Sequence, residues 1–175
     1  MGRPHEYASI SWISMDEASQ FINPFLKQSG DSGQVQIVSF FAEWCPNCVY
    51  EASAVQYLYN QYHSHGLEMT LVMDYSPKNN SDHFVQTHAI SIPVQYGELD
   101  EKDEAKRSET SLYKFRKSMG DQRGWGVPTH LIVEKEGNIM GVVLGEIIQD
   151  EIRPYLKKKL LFSNARILKC IMPFL

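Results

Sequence analysis

Two cysteines separated by two residues, Cys45 and Cys48, form the most reactive pair of side chains in this sequence. They follow the apolar run Val35–Phe40, which predicts a buried strand, and they open an amphipathic run that predicts a helix over about residues 46–65. A sulfur at a helix N-terminus is more acidic than usual because free backbone N–H groups and the helix dipole favour its anion. The pair therefore predicts thiol–disulfide chemistry, with Cys45 at the N-cap and Cys48 one turn into the helix.

A structural zinc site is the alternative use of such a pair. Structural zinc is almost always held by four ligands, often from two Cys-x-x-Cys pairs. This sequence has one such pair and a lone Cys170, and it carries other ligand-type residues without paired spacing at His63, His65, His83 and His88. Because the pair stands in a strand–helix–strand pattern, the redox interpretation is preferred and no metal is expected.

The elements that position the pair are predicted from hydrophobic periodicity. Continuous apolar runs indicate two parallel core strands, and alternating runs indicate an antiparallel hairpin. The predicted elements are a short strand at 7–13, a strand at 35–42, the helix at 46–65, a strand at 67–73, a short helix at 82–89, hairpin strands at 129–135 and 139–145 with a turn at 136–138, and a helix at 147–160. The apolar stripe of the first long helix is expected to contain Val49, Ala52, Val55, Tyr59 and Tyr62.

Length and composition indicate one ordinary globular domain. The chain has 175 residues, and its three cysteines are too few for a disulfide-stapled scaffold. Its net charge of −4 gives no sign of nucleic-acid binding. No run of about 18 apolar residues is present, so no membrane span is expected. The first six residues lack the apolar core of a signal peptide. The compartment is therefore open: we expect either a cytoplasmic protein or a periplasmic one whose export segment is absent from this sequence.

Two motifs carry a family resemblance. The segment Phe41–Cys48 (FAEWCPNC) resembles the active-site segment of the thioredoxin superfamily, and Gly126–Thr129 (GVPT) resembles its cis-proline loop. The long spacing between them, with extra material at about 75–118, resembles the TlpA/ResA-type thiol-disulfide oxidoreductases.

This resemblance implies an α/β, thioredoxin-like fold: a central mixed β-sheet flanked by helices on both faces. We expect residues 1–175 to form a single domain with a core at about 10–160. An N-terminal extension, the insertion at 75–118 and a packed C-terminal tail at 163–175 complete it. Cys170, in that tail, is expected to be a spectator thiol.

The resemblance also implies roles for individual residues. Cys45 becomes the exposed nucleophile and Cys48 the resolving thiol. The implied substrate-binding residues are Trp44, Pro46, Val127 and Pro128. A cis Pro128 would leave the Val127 backbone free to pair with an extended substrate, while Trp44 would shield the sulfurs.

The acids near the pair differ from those of thioredoxin. The buried aspartate of thioredoxin is replaced by Ser39. Glu51 occupies the place of the glutamate that follows the second cysteine in ResA-like proteins, and it could shuttle a proton to or from Cys48. The alternative is a solvated helix glutamate. Glu43 is expected at the surface, and His130 is expected to be a hydrogen-bonded strand histidine.

The function that the resemblance implies is disulfide exchange with protein substrates, in the reducing direction, by a monomer that a donor protein resets. No cofactor is expected, since no nucleotide-binding glycine pattern is present. Two alternatives stay open. A peroxiredoxin-like peroxidase shares the fold but needs a threonine shortly before its cysteine and an arginine nearby. A non-enzymatic module would use the pair to bind a metal or a partner.

Overall fold

The computed structural model describes residues 4–17, 19–26, 34–134 and 138–162. Within them the strands are β1 (Tyr7–Ala8), β2 (Ser11–Ser14), β3 (Val35–Phe41), β4 (Leu67–Met73), β5 (Val94–Tyr96), β6 (Thr129–Glu134), β7 (Ile139–Val143) and β8 (Glu146–Ile147). The α-helices are α1 (Ser19–Ile22), α2 (Pro46–Tyr62), α3 (Lys78–Thr87), α4 (Glu104–Arg107), α5 (Ser111–Ser118) and α6 (Gln149–Leu156). Most of the predicted hairpin turn and the tail with Cys170 lie outside the described residues.

Strand β3 lies inside a mixed sheet whose strand order is β2-β7-β6-β3-β4-β5. It runs parallel to β4 and antiparallel to β6. The short strands β1 and β8 pair separately from this sheet. Six of the seven residues of β3 are buried, which agrees with its continuous apolar sequence and explains why it takes an inner position.

Helices cover both faces of the sheet. Alternate residues of β3 point to opposite faces, and both sets are buried. Phe40 packs against Phe21 of α1, with ring centroids 5.7 Å apart. The neighbouring Ser39 points to the opposite face. There it contacts His130 of β6, which in turn contacts Glu51 of α2. The helix that carries the cysteines is thus anchored to the middle of the sheet.

The buried side of α2 differs from the predicted stripe. Val49 was expected on the apolar side, but it is 39% exposed. The buried residues of the helix are Asn47, Cys48, Glu51, Ala52, Val55, Leu58 and Tyr62. The helix is therefore rotated so that Cys48 and Glu51 face the sheet, and hydrophobicity alone does not reveal this because a carboxylate stands on the buried side.

Two predicted helices have different bounds in the structure. The short helix begins at Lys78 rather than at residue 82, and Lys78 pairs with Asp82 one turn later, which stabilises its first turn. The last predicted helix, 147–160, begins at Gln149 because Ile147 belongs to β8. After α6 the backbone continues as a π-helical turn over Lys157–Phe162.

Candidate active site

The two cysteines stand at the start of α2, shortly after β3 ends. Cys45 is the N-cap residue: its backbone is extended, with φ −83° and ψ 116°, and its sulfur accepts a hydrogen bond from the Cys48 N–H at 3.4 Å. Pro46 follows at the first helical position, where its missing N–H removes no helical hydrogen bond. Both thiols are free, so the pair is in its dithiol form.

Cys45 is less exposed than the resemblance implies. The residue is only 4% exposed, and Cys48 is fully buried. The Cys45 side chain borders a cavity of about 210 Å³ whose walls include Glu6, Trp44 and Val127. These walls come from three separate segments of the chain. An incoming disulfide would have to reach Cys45 through this cavity.

The surroundings give the two thiols opposite acidities. A hydrogen bond with the Cys48 thiol lowers the pKa of Cys45, outweighing the opposing effect of burial, and the backbone N–H groups of Cys48 and Asn47 lower it further. Burial raises the pKa of Cys48 well above its ordinary value, and the Cys45 sulfur and the charge of Glu51 add to this rise. Cys45 is therefore the thiol that ionises first.

The loop before β6 forms the wall opposite the pair. The Val127–Pro128 peptide bond is cis. The Val127 carbonyl accepts a hydrogen bond from the Cys45 thiol at 3.3 Å, although the two residues are 82 positions apart. Folding thus brings the two sequence motifs into direct contact, and Trp44, Cys45 and Val127 surround one cavity.

A buried ion cluster holds this loop in place. Arg116 is fully buried and donates to Asp121 at 2.7 Å. Arg123 also donates to Asp121, at 3.0 Å, and to the Pro128 carbonyl at 2.9 Å. Burial acts to raise the pKa of Asp121, but the hydrogen bonds from Arg123 and Arg116 outweigh it and hold that pKa below its ordinary value. The charge-assisted bonds connect the end of α5 to the cis peptide and fix the loop.

Two tryptophans form the rim of the cavity. The rings of Trp44 and Trp125 meet edge to face at 5.1 Å, and Trp44 Nε1 donates to the Tyr75 carbonyl at 2.8 Å. The Lys102 ammonium lies 3.8 Å from the centroid of Trp44, and the Arg107 guanidinium lies 4.7 Å from that of Trp125. These cation–π contacts restrict both rings. The rim therefore combines two aromatic rings with two cationic side chains.

The N-terminal segment closes the remaining side of the pair. Asn47, between the cysteines, is buried and donates to the Pro4 carbonyl at 3.3 Å and to the Glu146 carboxylate at 3.1 Å. Glu146 also contacts a ring nitrogen of His5 at 2.7 Å and accepts the Glu6 N–H at 2.7 Å. Residues 4–6 were predicted only as part of an N-terminal extension, yet they contribute to the site.

Glu51 is buried behind the cysteines, so the solvated alternative is wrong. It is 3% exposed. One carboxylate oxygen accepts the Ile147 N–H at 2.5 Å, and the other lies 2.9 Å from His130 Nε2. His130 is a hydrogen-bonded strand histidine, as its position predicts, and its Nδ1 lies 2.8 Å from Ser39 Oγ. The position of the missing aspartate is thus occupied by a serine that is linked to Glu51 through His130.

Several residues of the site carry no signal in the sequence. Glu6, Arg123 and Trp125 border the cavity, but their spacing from either motif indicates nothing. Trp125 came nearest to a signal, because it directly precedes the cis-proline motif. Glu43, expected at the surface, is half-buried and accepts a hydrogen bond from Asn80 at 3.1 Å.

In the part of the chain that the structure describes, no three His, Cys, Asp or Glu side chains are arranged to hold a metal ion. Two of the histidines considered as zinc ligands have other partners: His63 contacts the Leu67 carbonyl, and His83 contacts the Thr87 hydroxyl. None of the helices in the described ranges combines the length and apolar character that crossing a membrane requires.

A mixed sheet with helices on both faces, and a Cys-x-x-Cys pair at a helix start opposite a cis-proline, defines a thioredoxin-like protein. Residues 23–142, more than half of the chain, match the AhpC/TSA family model. The chain therefore belongs to the AhpC/TSA family.

Curated relatives of the chain include thiol-disulfide oxidoreductases named ResA. The ResA of Oceanobacillus iheyensis is 27% identical over 145 residues, which are 82% of this chain and 67% of that protein. The ResA of Bacillus thuringiensis is 24% identical over 130 residues, which are 72% of this chain and 64% of that protein. The chain thus spans just under two thirds of the Bacillus relative. The predicted resemblance to ResA-type proteins is confirmed.

Solved structures share the fold. A thioredoxin from Neisseria meningitidis, described as putative, superposes with a TM-score of 0.56 at 18% identity, covering 90% of this chain and 92% of its own. A thiol:disulfide interchange protein of the thioredoxin family from Chlorobium tepidum gives 0.54 at 21% identity, covering 91% and 99%. The predicted thioredoxin-like fold is confirmed by these likenesses.

Proposed function

We propose that this protein is a thiol–disulfide oxidoreductase that exchanges disulfides with protein substrates through Cys45 and Cys48. The observation that carries the proposal is the geometry of the pair: Cys45 caps α2 and bonds to the Val127 carbonyl of the cis-proline loop, while Cys48 is buried one turn further along. This setting shifts the pKa downward for Cys45 and upward for Cys48. Disulfide exchange needs a thiolate that attacks first and a second thiol that stays protonated until a mixed disulfide exists. The relatives named ResA support the same chemistry.

In the proposed reducing direction, the Cys45 thiolate attacks a client disulfide. A bond forms between Cys45 and one client sulfur, the client S–S bond breaks, and the other client sulfur leaves as a thiolate that takes a proton from water. Cys48 then loses its proton and attacks the Cys45 sulfur, which releases the second client sulfur and closes the Cys45–Cys48 disulfide. The client has gained the electron pair of this two-electron couple, and a donor protein with a dithiol must reduce the pair again.

We assign client docking to the surface around the cavity. Trp44 and Val127 border the Cys45 sulfur, which supports an extended client segment lying along the loop before β6. Pro46 is half-buried beside Cys45, so it is placed to touch such a segment. Pro128 is buried, so its contribution is to shape the loop rather than to bind the client.

We assign Glu51 the role of accepting the Cys48 proton. Glu51 follows Cys48 by three residues on α2, and side chains at this spacing are neighbours on a helix. It is buried, and its negative charge raises the pKa of Cys48. An ionised carboxylate disfavours a neighbouring thiolate by charge repulsion. When the carboxylate takes the thiol proton, this repulsion is removed, which is how a general base promotes the second attack.

Trapping tests the proposal directly. Cys48→Ala should accumulate mixed disulfides with client proteins, because Cys45 can attack but nothing resolves the product. Cys45→Ala should accumulate none, since the remaining thiol is buried and protonated. The measurement is non-reducing electrophoresis with mass mapping, and insulin reduction by the wild type reports turnover. The exchange function is wrong if neither variant traps a client and the wild type does not reduce insulin.

The direction has a separate test. Equilibrating the pair with glutathione buffers and counting free thiols by mass gives its potential, and about 30 mV corresponds to a tenfold change in the equilibrium. A pair that stays reduced even in strongly oxidising glutathione buffers has a high reduction potential, so its disulfide form acts as an oxidant. That result would contradict the reducing direction.

The peroxidase alternative can be weighed against the same site. Arg123 lies at the cavity, as a peroxidase would require, but its nitrogens donate to Asp121 and to carbonyls of the cis-proline loop. The five residues directly before Cys45, at 40–44, include no threonine. Peroxide consumption with a dithiol donor, measured beside insulin reduction, discriminates the two functions.

A further inference from the structure

A second buried carboxylate, Glu146 of β8, lies beside the redox pair and has no part in the proposed reaction. It is 2% exposed. One of its oxygens lies 2.7 Å from a ring nitrogen of His5, and the other accepts the Glu6 N–H at 2.7 Å and the Asn47 side chain at 3.1 Å. Burying a carboxylate is costly unless it is hydrogen-bonded in this way. Glu146 therefore joins residues 4–6, which we call the N-terminal strap, to the residue between the cysteines.

Backbone contacts hold the N-terminal strap in the same place. The Pro4 carbonyl accepts a hydrogen bond from the Asn47 side chain at 3.3 Å, and the Glu6 carbonyl accepts the Glu146 N–H at 2.8 Å. The close approach depends on Gly145, since a Cβ built there would lie 2.1 Å from the Glu6 carbonyl oxygen. Asn47, which contacts the strap, is only 2% exposed although it stands inside the Cys-x-x-Cys motif.

The N-terminal strap also forms part of the route to the nucleophile. Glu6 and Arg123 both border the cavity that leads to Cys45. The Glu6 carboxylate lies 3.9 Å from an Arg123 nitrogen, and its side chain is 43% exposed. An ion pair with this length and exposure contributes little, so it does not fix the position of Glu6. The backbone contacts of the strap fix it instead, and releasing the strap would remove one wall of the cavity.

We propose that Glu146 is a positioning residue that holds the N-terminal strap against the redox pair, and that the strap limits the size of the disulfides that reach Cys45. The inference rests on the proposed exchange function and adds a determinant of its clients. A disulfide on a narrow, extended client segment enters the cavity of about 210 Å³, whereas one set in a broad folded surface is held away from the sulfur. Glu146 acts through Glu6, whose backbone it holds, rather than on the reacting atoms.

Two maleimides of different size measure the access to Cys45. N-ethylmaleimide and a maleimide that carries a polyethylene glycol chain add to the same thiolate, so the ratio of their rates cancels any change in the acidity of Cys45. The unreacted Cys45 is counted by mass after the protein is denatured and labelled with iodoacetamide. Glu146→Ala should raise the ratio of the large to the small probe on the order of tenfold, the factor expected for losing one hydrogen bond to a charged group.

Glu146→Gln separates the hydrogen bonds of Glu146 from the mere presence of a side chain. The carboxamide oxygen can still accept from Glu6 and Asn47, and its amide N–H can donate to a bare ring nitrogen of His5. This conservative variant should therefore keep the ratio near that of the wild type. A ratio equal to that of Glu146→Ala would contradict the positioning role.

Glu151→Ala is the matched control, because Glu151 anchors the chain just after the N-terminal strap. It accepts the Ser9 hydroxyl at 2.9 Å and the Ile10 N–H at 3.1 Å. Its loss loosens the same N-terminal region but leaves the contacts between the strap and the redox pair in place, so the wild-type ratio is expected. Equal ratios for Glu146→Ala and Glu151→Ala would overturn the proposal.

A second variant covers the case in which Glu146→Ala does not fold. Glu6→Ala keeps the backbone N–H that Glu146 accepts and removes only the side chain that borders the cavity. Because Glu6 is exposed, this variant should fold, and it should also raise the ratio of the large to the small probe. An unchanged ratio in Glu6→Ala would overturn the inference.

Reduction of insulin relative to that of hydroxyethyl disulfide applies the same comparison to the reaction itself. Glu146→Ala should favour insulin, because the larger substrate gains more from the released strap. A relative loss of insulin reduction would overturn the inference, since clients would then need the strap for docking. A wild type that reduces neither disulfide would refute the exchange function, while the maleimide ratio still decides the role of Glu146. The two failures are thereby distinguished.

Discussion

Replacing Gly126 with alanine should destabilise the fold through the loop that faces Cys45. Gly126 has φ +67°, and a Cβ built there would lie 1.8 Å from Nη1 and 1.9 Å from Cζ of Arg116. Arg116 is fully buried and bound to Asp121 at 2.7 Å, so its guanidinium has no route to solvent. The alanine must therefore break the ion pair or displace the loop.

The expected cost has two parts. An L-residue in the left-handed region costs about 1–2 kcal/mol. Breaking a buried ion pair so that one charge is left without its partner costs about 3–5 kcal/mol. Together they approach the whole free energy of unfolding of an ordinary domain, about 5–15 kcal/mol. If the loop moves instead of the arginine, the cost of breaking the ion pair falls, but Val127 is then separated from Cys45.

Gly120→Ala is the matched control. Gly120 has φ +82°, and nothing lies within 4 Å of a Cβ built there. This variant should lose only the backbone part, about 1–2 kcal/mol. Urea unfolding followed by far-ultraviolet circular dichroism measures the free energy of unfolding of both variants and the wild type. Equal losses at the two glycines would refute the reasoning, because the contact with Arg116 is the difference between them.

Two further predictions concern acidity. The rate at which iodoacetamide alkylates Cys45 should rise with pH at a midpoint below that of an ordinary cysteine. Glu51→Gln should move the midpoint of Cys48 alkylation to lower pH, because it removes a charge that raises the pKa of Cys48; an unchanged Cys48 profile would contradict the role of Glu51. Because Asp121 has a lowered pKa in the fold, its stabilising contribution is complete above the unfolded value of about 3.9 and is lost as the pH falls through the folded pKa. Asp121→Asn should therefore flatten the acid side of the stability curve from urea unfolding at graded pH, and a wild-type slope would exclude this contribution.

The reactive pair and its local setting could be predicted from the sequence alone. A strand that ends before Cys45, a proline at the first helical position and a helix through Cys48 are all specified within a short window of residues. The parallel strands and the antiparallel hairpin of the mixed sheet followed from their own apolar runs, whereas the cis peptide at Pro128 was implied by the family resemblance. The division into a core and an insertion, the monomeric state and the direction of exchange stay predictions.

The rotation of α2 was not predictable from its pattern. Val49 and Tyr50 are apolar or aromatic yet exposed, while the charged Glu51 is buried. A periodicity argument assigns carboxylates to the solvent side. It fails here because the polar partners of Glu51 are supplied by other strands, His130 from β6 and Ile147 from β8.

The sequence by itself determined which atoms can react: two thiols at a helix start and a proline loop to face them. The tertiary structure decided how deeply Cys45 is covered and which groups surround Cys48. Ser39 and His130 are 91 positions apart and meet because they are register partners of β3 and β6. Strand register follows from the packing of the whole sheet rather than from any local window. For this reason the contact between Ser39 and His130 becomes visible only in the folded chain.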